Sequence, residues 1–174
     1  MLVYADNAAT TEMSAAAKKA LFDATEHVWG NPSSLHSVGQ EAKTVLEGAR
    51  EKIAALLGAD PKEIYFTSGG SEADNQAIVS AARNGAKKGK KHIVSTKFEH
   101  HAVLHTLDRL AKDGFEVTLV DVHENGVVRP EEIAAAIRPD TCLVSVMYAN
   151  NEIGTIQPAD EIGALCRARG VLFH

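Results

Sequence analysis

Cysteine is scarce in this sequence. Cys142 and Cys166 are the only two in 174 residues. Two thiols cannot build a disulfide framework in a chain of this size. Both sit in apolar patterns, where a small buried hydrophobe is the expected role. No apolar run approaches the roughly 20 residues that a membrane helix requires, so no membrane attachment is expected. The opening Met-Leu-Val-Tyr-Ala-Asp has neither a basic stretch nor a long apolar one. No secretory signal is expected there, and a cytoplasmic, reducing compartment is the default. Positive charge is also short, with 18 Lys and Arg against 23 Asp and Glu, a net charge of -5. Nucleic-acid binding needs a clustered basic face, and none is expected. The one basic run, Lys87–Lys88 and Lys90–Lys91, falls between a helical and a strand pattern and reads as a solvated loop. Repeats, low-complexity tracts and linkers are missing too.

What is present suits one globular domain with a real core. Hydrophobic residues are 45% and charged residues 24%, ordinary values for such a domain. Ala17, Ala20, Leu21, Ala24 and Val28 form a helical stripe. A longer stripe runs through Val38, Ala42, Val45, Leu46, Ala49, Ile53 and Leu56, with Gly58 as its C-terminal cap. Strand and helix patterns then alternate. Glu63–Phe66 reads as a short strand, Ser71–Ala82 as a helix, His92–Ser95 as a strand and Ala102–Ala111 as a helix. Phe115–Val122 reads as a strand followed by a turn at Glu124-Asn125-Gly126. Pro130 opens a helix to about Ile137, and Cys142–Met147 is a strand. Pro158 starts a helix that ends with Arg167, Arg169 and Gly170, and Val171–His174 begins a last strand. This alternation predicts an α/β fold, a mostly parallel sheet with helices on both faces. Ligands of such sheets bind at the carboxyl ends of strands, which directs attention to the loops that follow strands.

Four segments there carry possible chemistry. In Phe66-Thr67-Ser68-Gly69-Gly70-Ser71-Glu72-Ala73-Asp74, a strand pattern meets two glycines and a helix start. Unpaired N–H groups and the helix dipole favour an anion there, glycine lets a phosphate approach closely, and the Ser71 hydroxyl adds a bond. A capping box of Ser71 with Asp74 is an equal and compatible reading. No Walker A lysine and no G-x-G-x-x-G follow, so an ordinary nucleotide-binding domain is disfavoured. In Phe98-Glu99-His100-His101, a histidine at a strand-to-helix junction can stack on a planar ring or move protons. Taken alone, it is more readily a structural histidine. His101 and His105 have a ligand-like spacing, but with no cysteine or third histidine nearby, a metal site is not expected. In Tyr148-Ala149-Asn150-Asn151-Glu152-Ile153-Gly154, amide side chains after a strand can bond a ligand oxygen. Loop chemistry is the alternative, and Glu152 suits it better than Asn150 does. Asp6-Asn7-Ala8-Ala9-Thr10-Thr11 and Gly30-Asn31-Pro32-Ser33-Ser34 say only loop or turn.

No one of these segments is diagnostic, but their shared order is. Together they resemble the cysteine desulfurases of the iron-sulfur assembly type, within aminotransferase class V, the fold type I pyridoxal-phosphate enzymes. Asn150-Asn151-Glu152-Ile153-Gly154 is similar to the housekeeping and nitrogen-fixation branch. The resemblance spans the whole chain and implies the N-terminal arm and first part of a cofactor-binding large domain over residues 1–174. It implies pyridoxal 5'-phosphate as cofactor, with Gly70 and Ser71 matching the pair that holds its phosphate. The family usually has Ala-Thr there; Gly-Ser keeps the hydroxyl and backbone donors in a looser loop. It places His100 as the catalytic histidine stacked on the pyridine ring. By the same resemblance, Asn150 matches the asparagine that faces the phenolic oxygen and the substrate, and Asn7 and Ala8 are expected on the substrate side.

The family's reaction takes sulfur from L-cysteine onto an enzyme cysteine and leaves L-alanine. In the family, the pyridine-nitrogen aspartate, the cofactor lysine in Ser-x-His-Lys and the persulfide cysteine all come later than residue 174. Lys97, Cys142 and Cys166 match none of them. The expectation is therefore an N-terminal portion that is inactive without its C-terminal half. With that half, a homodimer passing sulfur to an acceptor or scaffold protein is expected. The alternative is a non-catalytic remnant that binds a partner or a phosphate ligand.

Overall fold

The computed structural model describes residues 1–174, in two compact units, Met1–Phe66 and Thr67–His174. In the first unit, Ser14 accepts from the Ala17 N–H and opens helix α1, Ala15–His27. His36 Nδ1 accepts from the Gly39 N–H at 3.3 Å and opens helix α2, Ser37–Leu57. Gly58 closes α2 at φ 64°, the left-handed conformation that glycine adopts without a Cβ penalty. Asp60 and Glu63 then form a reciprocal capping box around a 3-10 turn at Pro61–Glu63.

The expected strand at Glu63–Phe66 does not form. Ile64 is extended, at φ -94° and ψ 121°, but extended backbone becomes a strand only when a neighbour completes its ladder. Arg50 instead donates to the Ile64 carbonyl, and its guanidinium carbon lies 4.9 Å from the Phe66 ring centroid.

The second unit opens with helix α3, Gly70–Ala86, which is longer than the pattern implied. Three β–α pairs follow: strand β1 at His92–Thr96 with helix α4 at His101–Lys112, β2 at Glu116–Val120 with α5 at Pro130–Ala136, and β3 at Thr141–Ser145 with α6 at Ala159–Ala168. Strand β4, Leu172–Phe173, comes last. Pro158 stands at the N-cap of α6, outside its first turn. The sheet order is β2-β1-β3-β4 and every pairing is parallel. Parallel sheets bury both faces, and β1 and β3 are buried along their whole length.

Side-chain alternation divides the core. Ile93 and Leu143 face α3 and α4, packing with Ile78, Ala82, Val103, Leu107 and Leu110. Val94 and Val144 face α5 and α6, packing with Ile133, Ile162, Cys166 and Val171. A register shift between His92 and Ile93 lets Cys142 join the same core as Leu143. Both cysteines are buried and unpaired with each other, as their apolar settings implied. Burial pushes both thiols above their ordinary pKa, which suits inert core positions.

Candidate active site

From β1 the chain moves outward to β2. It then crosses back to β3 on the other side of β1. The direction of winding reverses between β1 and β3, and their carboxyl ends flank a topological switch point, where open α/β sheets bind ligands. The loop after β1 carries Glu99 and His100, and the loop after β3 carries Asn150.

His100 is the N-cap of α4, and its Nδ1 accepts from the Ala102 N–H at 3.0 Å. An Nδ1 that accepts carries no proton, so the neutral ring holds its proton on Nε2. The ring is exposed and borders two clefts of about 400 Å³ and about 360 Å³. Asp74, Glu99 and Val146 line the larger one, and Asn150 and Phe98 line the smaller.

Asn150 is buried, at 8% exposure. Its Oδ1 accepts from the N–H groups of Glu152 and Ile153 at 2.8 and 3.0 Å, and its Nδ2 donates to the Phe98 carbonyl at 3.3 Å. Loop chemistry, expected to suit Glu152 better, is therefore done by Asn150. Glu152 contributes a backbone donor and no side-chain bond. An Asx-type turn captures the two backbone groups locally, a competition that position in the sequence could not reveal.

At the start of α3, the anticipated Ser71–Asp74 box is absent. Gly69 is the N-cap, and the Glu72 carboxylate reaches back to accept from the Ser68 N–H and Oγ at 2.7 and 2.6 Å. The Ser68 hydroxyl, then the Ser68 backbone, hold Glu72 below its ordinary pKa. The first intrahelical bond runs from the Ala73 N–H to the Gly69 carbonyl. The N–H groups of Gly70, Ser71 and Glu72 come before it and are free for an anion. Gly70 has no positive φ; what it offers is room. A Cβ built on Gly69 or Gly70 would meet no heavy atom within 4 Å. The next turn is tied to α4: Asn75 donates to the Ser71 carbonyl at 2.7 Å, and the Thr106 hydroxyl donates to Asn75 Oδ1 at 2.7 Å. Gly70, Ser71, His100 and Asn150 thus all belong to the second unit. Asn7 and Ala8 lie on an exposed turn of the first.

Glu99 is what sequence reasoning left without a role. It is 7% exposed, and its Oε1 accepts from Thr96 Oγ1 and the Met147 N–H, both at 2.9 Å. Burial pushes its carboxyl above the ordinary range, the two hydrogen bonds oppose that, and Asp74 adds to it. The signal available in the sequence was an ionisable residue in the short loop that joins a strand pattern to a helix pattern.

The family model for aminotransferase class V matches residues 3–174. The chain belongs to the aminotransferase class V family. Its relatives include a putative cysteine desulfurase IscS 1 of Bacillus subtilis, 47% identical over 172 residues, which cover 99% of this chain and 45% of the relative. Among solved structures, a NifS-like protein superposes with a TM-score of 0.95 at 40% identity, over 100% of this chain and 48% of that one. A second, SspA in complex with cysteine, gives a TM-score of 0.90 at 35% identity over 96% of this chain and 48% of that one. The chain therefore spans about half the length of the relatives it matches. Its sheet and flanking helices correspond to the N-terminal part of a fold type I large domain. The residues present would fit a phosphate-bearing group with a planar ring: free N–H groups and a hydroxyl beside two unobstructed glycines, and an exposed imidazole at the switch point.

Proposed function

We propose that this chain is the N-terminal part of a pyridoxal-phosphate-dependent cysteine desulfurase, and that it turns over no cysteine by itself. The observation that carries the reading is the meeting of His100 and Asn150 at one cleft, above the point where the winding of the sheet reverses. Helix α3, whose Asp74 lines the larger cleft together with His100, supplies anion-binding donors at its N-terminus. When bound, pyridoxal phosphate supplies an electron sink for breaking bonds at an amino-acid substrate. This chain's residues do the rest of the work assigned here. Gly70 and Ser71 hold the phosphate through backbone N–H groups and a hydroxyl. His100 offers a ring face for stacking and a proton on Nε2. Asn150 fixes the loop that closes the smaller cleft, and its Nδ2 also reaches Met147 Sδ at 3.5 Å, a weak acceptor that a phenolic oxygen or the substrate would replace. Asn7 and Ala8 are assigned to the substrate side by family likeness alone.

L-cysteine is the proposed substrate, in keeping with the cysteine complex of the similar SspA. Its sulfur would pass to a cysteine of the remaining polypeptide and then to an acceptor or scaffold protein, leaving L-alanine. A cytoplasmic homodimer is the proposed working form of the complete enzyme.

The test compares the complete polypeptide with residues 1–174 alone, each supplied with pyridoxal phosphate and L-cysteine, by assay of alanine and sulfide. The complete protein is expected to turn over and the 174-residue chain is not. Turnover by the short chain would show that the remainder is dispensable. A complete protein that binds the cofactor but yields no alanine would favour a phosphate- or partner-binding module.

A further inference from the structure

The loop after β1 and the loop after β3 are cross-linked twice, in opposite directions. Glu99 reaches from the first to the second, accepting from the Met147 N–H at 2.9 Å. Asn150 reaches from the second to the first, donating to the Phe98 carbonyl at 3.3 Å. Each side chain therefore bonds backbone close to the other's anchor. Thr96 Oγ1 donates to the same Glu99 oxygen at 2.9 Å, which fixes the rotamer of the carboxylate. His100 follows Glu99 directly, and its own backbone starts α4.

We infer that Glu99 is a positioning residue, whose carboxylate oxygen sets His100 against the segment that ends in Asn150. The inference rests on the site proposed above and deepens it. A carboxylate buried to 7% exposure carries a desolvation cost. It is retained where an apolar side chain would orient nothing. Both partners donate to Oε1, so an acceptor at that point is what the geometry uses. Asp74 of α3, His100 at the N-cap of α4, Tyr148 after β3 and His174 after β4 are the other titratable groups around the larger cleft. None donates a hydrogen bond to Glu99 or pairs with it as a salt-bridge partner. A glutamine at position 99 keeps the Oε1 acceptor and removes the charge, whereas alanine removes both. Positioning therefore requires Glu99→Gln to behave like the native protein and Glu99→Ala not to.

The experiment uses the complete enzyme loaded with pyridoxal phosphate. Visible circular dichroism of the bound cofactor reports how its ring is held, independently of turnover. Hydrogen exchange at the Met147 N–H reports the cross-link itself, and His100→Asn serves as the reference variant. Glu99→Ala is expected to expose the Met147 N–H, change the cofactor's dichroism and lower kcat about tenfold or more, while Glu99→Gln leaves all three near native. Dichroism and kcat unchanged in Glu99→Ala would overturn the inference even if its melting temperature fell. An equal loss in both variants would assign the effect to charge and overturn it as well. If His100→Asn also leaves the dichroism and kcat unchanged, the site reading fails rather than the role of Glu99. Should Glu99→Ala fail to fold, Glu99→Gln still decides, since losing the native signals contradicts positioning by an acceptor.

Discussion

Gly85 of α3 lies against Cys142 of β3 so closely that a Cβ built on the glycine would stand 2.3 Å from the Cys142 Cβ and 3.0 Å from its Sγ. Real Cβ contacts are essentially never that short. Helix and strand meet here without an intervening side chain, and that close approach sets α3 on the sheet. Gly85→Ala is expected to destabilise the complete protein by about 1–3 kcal/mol, the usual cost of overpacking. Alanine's better helix propensity offsets only part of it. The collision is with the Cβ of Cys142, so adding Cys142→Ala is not expected to recover the loss. Urea unfolding of the two single variants and the double variant checks this, and full recovery in the double would place the strain at the sulfur instead.

His92 supplies a pH dependence. It is fully buried at the amino end of β1, and its ring nitrogens pair with Thr141 Oγ1 at 2.7 Å and Thr118 Oγ1 at 2.9 Å. Burial, and then the Arg138 guanidinium, lower its pKa below 6.5, with Asp140 and Glu116 opposing. The unfolded chain therefore binds the proton more readily than the folded one. Stability is full above about pH 6.5 and declines as pH falls below it toward the lower folded value. A His92→Gln variant is expected to be less stable at pH 8 but to lose less between about pH 7 and 5. Denaturant midpoints across that range measure both slopes, and parallel slopes would remove His92 from the acid response.

Most of this architecture was legible in the sequence because its signals are local. The strand pattern at His92–Ser95, the glycine cap at Gly58 and the proline at Pro130 each act within a few residues. Glu63–Phe66 failed as a strand because a strand is a relation to a neighbour. Its extended backbone was foreseeable, but its lack of a partner was not. The site divided in the same way. Gly70, Ser71 and His100 were readable as a helix start and a junction histidine. The Glu99–Met147 and Asn150–Phe98 links span 48 and 52 residues, and no local pattern encodes them.

Gly70→Val tests the phosphate cradle. The structure leaves open space where the new side chain would go, and Gly70 has no positive φ. The substitution should therefore cost the fold little, with β-branching in the first turn costing only tenths of a kcal/mol. Close approach of a phosphate is what the side chain would block. In the complete enzyme, cofactor retention on dialysis is expected to fall at least tenfold while the melting temperature of the cofactor-free form stays within a few degrees. Unchanged retention would move the phosphate away from α3.

The 174-residue chain by itself should associate. In the first unit Phe22, Trp29 and Leu35 are 69%, 77% and 94% exposed, well beyond the scattered apolar surface a monomer ordinarily carries. Its long helix α2 buries only Gly39, Ala42 and Ala54, so the stripe through Val45, Ile53 and Leu56 remains outside. In the second unit β4 is the edge of the sheet, pairs through only Leu172 and Phe173, and leaves Leu172 54% exposed. Neither a charged side chain nor a proline in β4 blocks that edge against another strand. The net charge of -5 opposes association only weakly at physiological salt, where screening acts over about 8 Å. Sedimentation velocity over a hundredfold concentration range is expected to show mass rising with concentration, and raising the salt should strengthen the effect. A single monomeric species throughout would mean that these apolar faces are tolerated in water, and would give new weight to a self-sufficient binding module.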